Sequence, residues 1–192
     1  GGHISALWAP SAAFIVLGGT LGATAVSFTL KEMMTIPKLL KIAFTSKPKE
    51  PIETIEMMVN LAEEARREGL LYLERRLEDI DDPFMRKGIQ LVIDGTDPEV
   101  VKSILETELY SIEERHRVGG SIFETAGGFA PTMGIIGTVM GLVHVLGSID
   151  EPDTLGPAIA MAFLAALYGV GSANVIFLPL AFKLQNLSNK AV

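Results

Sequence analysis

The sequence predicts an all-α, multi-span helical membrane protein with a helical cytoplasmic domain, and three observations predict it. Three runs carry no formal charge: residues 4–30, 125–149 and 154–182. A spanning helix needs about 20 apolar residues to cross about 30 Å of hydrocarbon, and each run is long enough. The charges are segregated. Residues 47–117 hold 11 of the 16 Lys/Arg and 18 of the 23 Asp/Glu, so this stretch alone accounts for the net charge of −7. No stretch alternates polar and apolar residues with the period of a strand.

Composition and charge also narrow the function. An acidic balance over 192 residues disfavours nucleic acid as a partner. There is no cysteine, so neither a disulfide framework nor thiol chemistry is available. Lysines 31, 38, 41, 47 and 49 follow the first run, Arg115 and Arg117 precede the second, and Lys183 and Lys190 follow the third. The connector between the second and third runs is acidic. The bias of Lys and Arg toward the cytoplasm therefore places 1–30 as an extracellular start and first span, and 31–120 as a cytoplasmic domain. Residues 121–149 form a span, 150–153 an outer hairpin, 154–182 a span and 183–192 a cytoplasmic tail. With residue 1 outside and no initiator methionine at Gly1-Gly2-His3, a signal peptide or another span is expected upstream. The tail, still helix-compatible at 183–187, also reads as cut short.

Taken in order, the first span has Trp8 and Pro10 at its outer edge, where an indole suits the headgroup layer. Gly18, Gly19, Gly22 and Ala23 favour close helix contact. Residues 31–40 suit an amphipathic surface helix. Beyond the breaker at 47–51, one long helix is expected, with Ile55, Met58, Val59, Ala62, Ala65, Gly69, Leu73 and Leu77 on its apolar face. Asp81-Asp82-Pro83 ends it, and 83–93 forms a second helix. Asp94-Gly95 is a turn. Asp97-Pro98-Glu99 starts a third helix with a capping carboxylate and a first-turn proline, running to about Arg117 or on into the second span.

Catalytic chemistry is absent. There is no phosphate-binding Gly-rich loop and no nucleophile grouping, and His3, His116 and His144 lack ligand spacing. His144 reads as a packing or interfacial group rather than a proton relay. The chain is not expected to be an enzyme, and no cofactor or metal is expected. The spans contain no Asp, Glu, Lys or Arg, although a conducting membrane protein needs an ionisable group at depth. Instead, Pro131 and Thr138 lie seven apart on one face, and Gly137 and Gly141 form a small-x-x-x-small ridge. On the third run Ala158, Ala162 and Ala166 step by four, as do Ala165, Gly169 and Ala173. Pro179 is expected to kink or end the third span. The glycines and alanines read equally well as plain helix packing. Pro131 and Thr138 offer oxygens but no charge, so a cavity lined by them wants a carboxylate from another subunit.

At these residues a resemblance appears. Residues 130–143, Ala-Pro-Thr-Met-Gly-Ile-Ile-Gly-Thr-Val-Met-Gly-Leu-Val, resemble the third-span signature of the MotA family of flagellar stator proteins, with a core shared by the ExbB/TolQ relatives. Gly156–Ala160, Ala165–Gly169 and Phe177–Ala181 resemble its fourth span, and residues 66–75 its rotor-facing stretch. The resemblance implies that a first span is missing here. It also implies a homopentamer in the bacterial inner membrane around a MotB dimer, which supplies the conducting aspartate and a peptidoglycan anchor. Pro131, Thr132, Thr138, Ala166 and Pro179 would line the ion pathway. Arg66 and Glu74 would face the rotor protein FliG, a reading that competes with an ordinary solvated helix face. Gly137, Gly141, Ala162 and Gly169 would pack helices. Sodium-driven relatives resemble one another in having threonine on both the third and fourth spans. Here the fourth-span position is Ala166, so proton coupling is expected, although Thr138 with free carbonyls and water remains an alternative sodium site. An ExbB/TolQ-like energiser, which has three spans, is the nearest rival reading. A non-conducting scaffold is the other.

Overall fold

Prolines and capping side chains set most of the helix boundaries. The computed structural model describes residues 7–46, 51–147, 150 and 152–191, and among them no strand occurs. His3, the breaker at 47–50 and residues 148, 149 and 151 of the acidic connector lie outside the described residues. The chain forms two units, 1–46 with 116–187 and 47–115 with 188–192.

The first unit contains α1 (Pro10–Ser27), α2 (Leu30–Met33), α3 (Ile36–Thr45), the later part of α7 (Pro98–Gly147), α8 (Pro152–Ser172), a π-helical turn at Ala173–Phe177, and most of α9 (Leu178–Ala191). The third cytoplasmic helix and the second span are thus one continuous helix. On α1 the buried face is Ala12, Val16, Thr20 and Thr24, stepping by four. Gly18 and Gly22 were expected in close contact, yet a β-carbon at either would meet nothing within 4 Å; only Gly19, against Met133, is confined. The surface helix is shifted and divided relative to the expected 31–40. Thr29 and Glu32 cap α2 reciprocally, with the Thr29 N–H donating to Glu32 Oε2 at 2.7 Å. That backbone donor, followed by the Thr29 hydroxyl, holds the Glu32 carboxyl below the usual range. Pro37 has no N–H for the Met33 carbonyl, so α2 stops and α3 begins anew.

In the second unit are α4 (Pro51–Glu68), α5 (Leu70–Arg76), a 3₁₀ turn at Leu77–Asp79, α6 (Pro83–Ile93) and the start of α7. Asp82 caps α6 by accepting from the Phe84 and Met85 amides, and Asp97 accepts from the Glu99 amide at the start of α7. The single long helix expected over this stretch does not form. Gly69 interrupts it at φ 89 and ψ 165, a conformation open almost only to glycine. The consequence is a different core. Leu61, Leu73, Leu77, Ile80 and Ile89 are buried together, with Ala65 at their edge, while Ile55, Met58 and Val59 are exposed.

Candidate functional site

In the first unit, α7 and α8 meet through residues with almost no side chain. A β-carbon added to Gly169 would stand 2.6 Å from the Ala130 carbonyl oxygen and 2.8 Å from the Gly134 Cα. One at Gly137 would stand 2.8 Å from the Ala165 Cβ, and one at Gly141 2.9 Å from the Ala162 Cβ. Gly137, Gly141, Ala162, Ala165 and Gly169 therefore meet in one interface, with Gly134 as a member that helical spacing alone did not single out. Ala166 lies on the same seam, its Cα 3.3 Å from a β-carbon placed on Gly134.

Thr138 ties this seam together. Its Oγ1 is 2.9 Å from the Gly134 carbonyl on its own helix and 2.9 Å from the Ala162 carbonyl on α8. A hydroxyl has one proton, so it donates to one of these oxygens at a time and keeps acceptor capacity. Thr132 is exposed and donates to the Phe129 carbonyl at 2.7 Å. His144 is exposed.

Pro131 breaks the hydrogen-bond ladder inside α7, and Pro179 follows a π turn. Pro131 leaves the Gly127 carbonyl without its helical donor, and α7 continues through it. Pro179 was expected to kink or end its helix. Instead the chain stays helical, widening into the π turn so that the Leu178 N–H donates to the Ala173 carbonyl five residues back. Gly127 abuts this turn: a β-carbon there would lie 2.8 Å from a Leu178 methyl. The two backbone defects are thereby brought side by side, Pro179 itself being exposed.

Sequence reasoning missed three polar groups in this unit. Thr20 and Thr24 are 0% and 1% exposed. Their hydroxyls donate to the Val16 and Thr20 carbonyls at 2.7 and 2.8 Å, which is how a hydroxyl is tolerated on a buried helix face. Tyr168 accepts from the Ala9 N–H at 2.9 Å and donates to the Leu7 carbonyl, fastening the start of α1 to α8. Threonine reads as nearly apolar, and a lone tyrosine gives no spacing signal.

In the second unit, Arg66 lies in the last turn of α4 and Glu74 sits on α5, both exposed and neither in an ion pair among the described residues. The link between these helices is Glu64 with Arg76, whose buried Oε2 and Nε are 3.2 Å apart but not aligned as a hydrogen bond. In a straight helix residues so spaced would be about 18 Å apart. The chain therefore doubles back at Gly69, and Arg66 and Glu74 flank that reversal.

Residues 76–192 match the model of the MotA/TolQ/ExbB proton channel family, and residues 1–69 match Motility protein A N-terminal. The chain belongs to the MotA/TolQ/ExbB proton channel family. Motility protein A of Bacillus subtilis is 39% identical over 193 residues, covering 100% of this chain and 72% of that protein. Chemotaxis protein PomA of Vibrio alginolyticus is 39% identical over 185 residues, covering 96% and 72%. Among solved structures, a chain of the flagellar MotAB stator complex from Bacillus subtilis superposes with a TM-score of 0.90 at 39% identity, covering 99% of this chain and 75% of that one. A chain of C. jejuni MotAB gives a TM-score of 0.91 at 28% identity, covering 100% and 76%.

As a member of this family of membrane proteins, the chain has, among the described residues, three helices long and apolar enough to span, at 10–27, within 98–147 and within 153–190. These helices carry exposed Phe14, Val26, Phe163 and Val175.

Proposed function

We propose that this chain is the ring-forming stator subunit of a flagellar motor in the bacterial inner membrane, with 31–120 in the cytoplasm. Five copies surround a MotB-type dimer and couple proton flow to rotation. The observation that carries this reading is a missing carboxylate. Residues 125–149 and 154–182 contain no Asp, Glu, Lys or Arg, although the family is one of proton channels. A proton held at depth needs an ionisable group, so a second chain supplies it.

In this mechanism, protonation neutralises the partner's carboxylate beside Pro131 and Thr138 and removes a buried charge, which frees the ring to step. About 2.3 kcal/mol is available per charge per 100 mV. Thr132, Ala166 and Pro179 complete the pathway, and the adjoining defects at Gly127 and the π turn give it backbone carbonyls not committed to a regular ladder. Arg66 and Glu74, displayed at the Gly69 reversal, engage the rotor. Ala166 adds no oxygen beside Thr138, which favours a proton over sodium. The match of 1–69 to Motility protein A N-terminal favours a motility role over an ExbB/TolQ-like energiser.

The test is complementation: expression with a cognate MotB-type partner in a strain lacking its own stator, with swimming speed measured at fixed pH with and without sodium. Motility that persists without sodium and collapses with a protonophore is expected; the reverse overturns the proton assignment, and no motility with an assembled complex overturns the stator role. Charge reversal at Arg66 or Glu74 should reduce rotation while leaving membrane insertion and partner binding unchanged. Normal swimming by both reversals would make these charges a solvated face.

A further inference from the structure

The inner ends of the charge-free runs coincide at one packing layer. The last charge before the second run is Glu124 on α7, and the first after the third run is Lys183 on α9. Ala43 of α3 is buried with Phe123, Ala181 and Leu184, each within two residues of those charges. Gln185 donates to Glu124 across the same level at 3.5 Å. The Ala43 end of α3 therefore sits at the level where the charge-free runs stop.

The exposed side of α2 and α3 has a composition that suits neither water nor a protein core. Leu30, Met34 and Phe44 are 79%, 81% and 72% exposed. Among them stand exposed Lys31, Lys38 and Lys41, and the Lys183 ammonium lies 5.3 Å above the Phe44 ring. None of these four lysines is in an ion pair among the described residues. The nearby carboxylates are engaged elsewhere, Glu32 by Thr29 and Glu124 by Gln185. Apolar side chains interleaved with cations on flexible stems match an interface with acyl chains below and phosphates above.

We propose that this face, made by Lys31, Lys38, Lys41, Lys183 and Phe44, is a binding site for anionic phospholipid headgroups of the inner leaflet. It rests on the membrane orientation given above and not on the stator role. Phe44 enters the acyl boundary, and Lys183, held over its ring, meets the phosphate. The opposite boundary carries exposed Trp8, with Asp150 and Asp153 in the connector and no Lys or Arg, so it has no such preference. Each lysine removed from such a surface weakens attachment roughly fivefold.

The experiment uses the chain reconstituted with its partner in vesicles of phosphatidylcholine and phosphatidylglycerol. Trp8 is the single tryptophan of these 192 residues; with any tryptophan of the partner or of adjoining chain replaced by Phe, Phe44→Trp in a Trp8→Phe background reports from the proposed site and Trp8 reports from the other boundary. Brominated phosphatidylglycerol should quench the Phe44→Trp emission several-fold more than brominated phosphatidylcholine at equal mole fraction. The difference should vanish on adding Lys38→Gln, Lys41→Gln and Lys183→Gln, while Trp8 of the parent is quenched equally by both lipids. Equal quenching at Phe44→Trp, no quenching there, a bias surviving the triple change, or the same bias at Trp8 would each overturn the proposal. Retained quenching of Trp8 in the triple variant by either lipid shows that the protein is still inserted. Swimming is scored separately, so loss of lipid bias and loss of the stator role are read apart.

Discussion

Between α7 and α8 the contact is made by glycines and alanines, whereas between α4, α5 and α6 it is made by leucines and isoleucines. The solvent explains the difference. In water, burying Leu61, Leu73 and Leu77 releases hydration cost and drives the helices together. In lipid the tails are as apolar as leucine, so side-chain bulk gains nothing. What remains is close backbone approach and an interhelical hydrogen bond, here from Thr138. One contact is intolerant of a gap and the other of a methyl group.

The substitution with the largest expected effect breaks the lipid-side contact. Gly169→Val should abolish motility and loosen the α7–α8 pair, because its β-carbon would meet the Ala130 carbonyl oxygen at 2.6 Å and backbone cannot yield as a side chain does. Hydrogen-exchange protection of α7 and α8 along the seam should fall; if it is unchanged, the seam is looser than drawn. Next, Leu73→Ala should destabilise the α4–α6 unit by about 2–5 kcal/mol, read as lost hydrogen-exchange protection there with the α7–α8 seam untouched. Equal loss in both places would mean that the two contacts are not independent.

Smaller effects sharpen the comparison. Thr138→Val keeps the shape but removes the bond to Ala162, and should cost about 0.6 kcal/mol, at most about 1.7. A denaturant titration in detergent measures this, and a larger loss of motility than of stability would mark the hydroxyl as functional. Smallest is the pH response of the Lys87–Glu108 pair joining α6 to α7. The hydrogen bond from Lys87, and then its charge, hold the Glu108 carboxyl below its usual range. A depressed carboxyl stabilises the fold above the ordinary carboxylate pKa of about 4 and loses that contribution as pH falls through its own value. Protection of α6 should therefore decline slightly on acidification, and Lys87→Gln should flatten the decline.

What the sequence made legible was whatever depends on near neighbours. Asp82-Pro83, Asp94-Gly95 and Asp97-Pro98 each specify a boundary through one side chain or one ring, and each boundary stands where it was read. The spans were legible because lack of charge over more than 20 residues has few soluble explanations. Gly69 was misread because its spacing fitted a helical stripe, and spacing carries no information about φ. Ile55, Met58 and Val59 followed it into error, since their burial depended on a straight helix. At the candidate site, Gly137 and Gly141 were legible as a ridge, but Gly134, Thr20, Thr24 and Tyr168 were not. Their roles exist only once another helix is alongside.

The π turn at Ala173–Phe177 has a consequence for phase. A five-residue hydrogen-bonded step absorbs one more residue than an α turn, which rotates everything after it by about 100° relative to an uninterrupted helix. Ala162, Ala165 and Gly169 before the turn address α7, and after it Leu178 and Gln185 stand against Gly127 and Gly120 of that same helix. The extra residue is thus taken up without losing the neighbour, much as a key holds a cam in phase along its shaft. Deleting a single residue within 173–177 would turn everything after it away from Gly120 and Gly127.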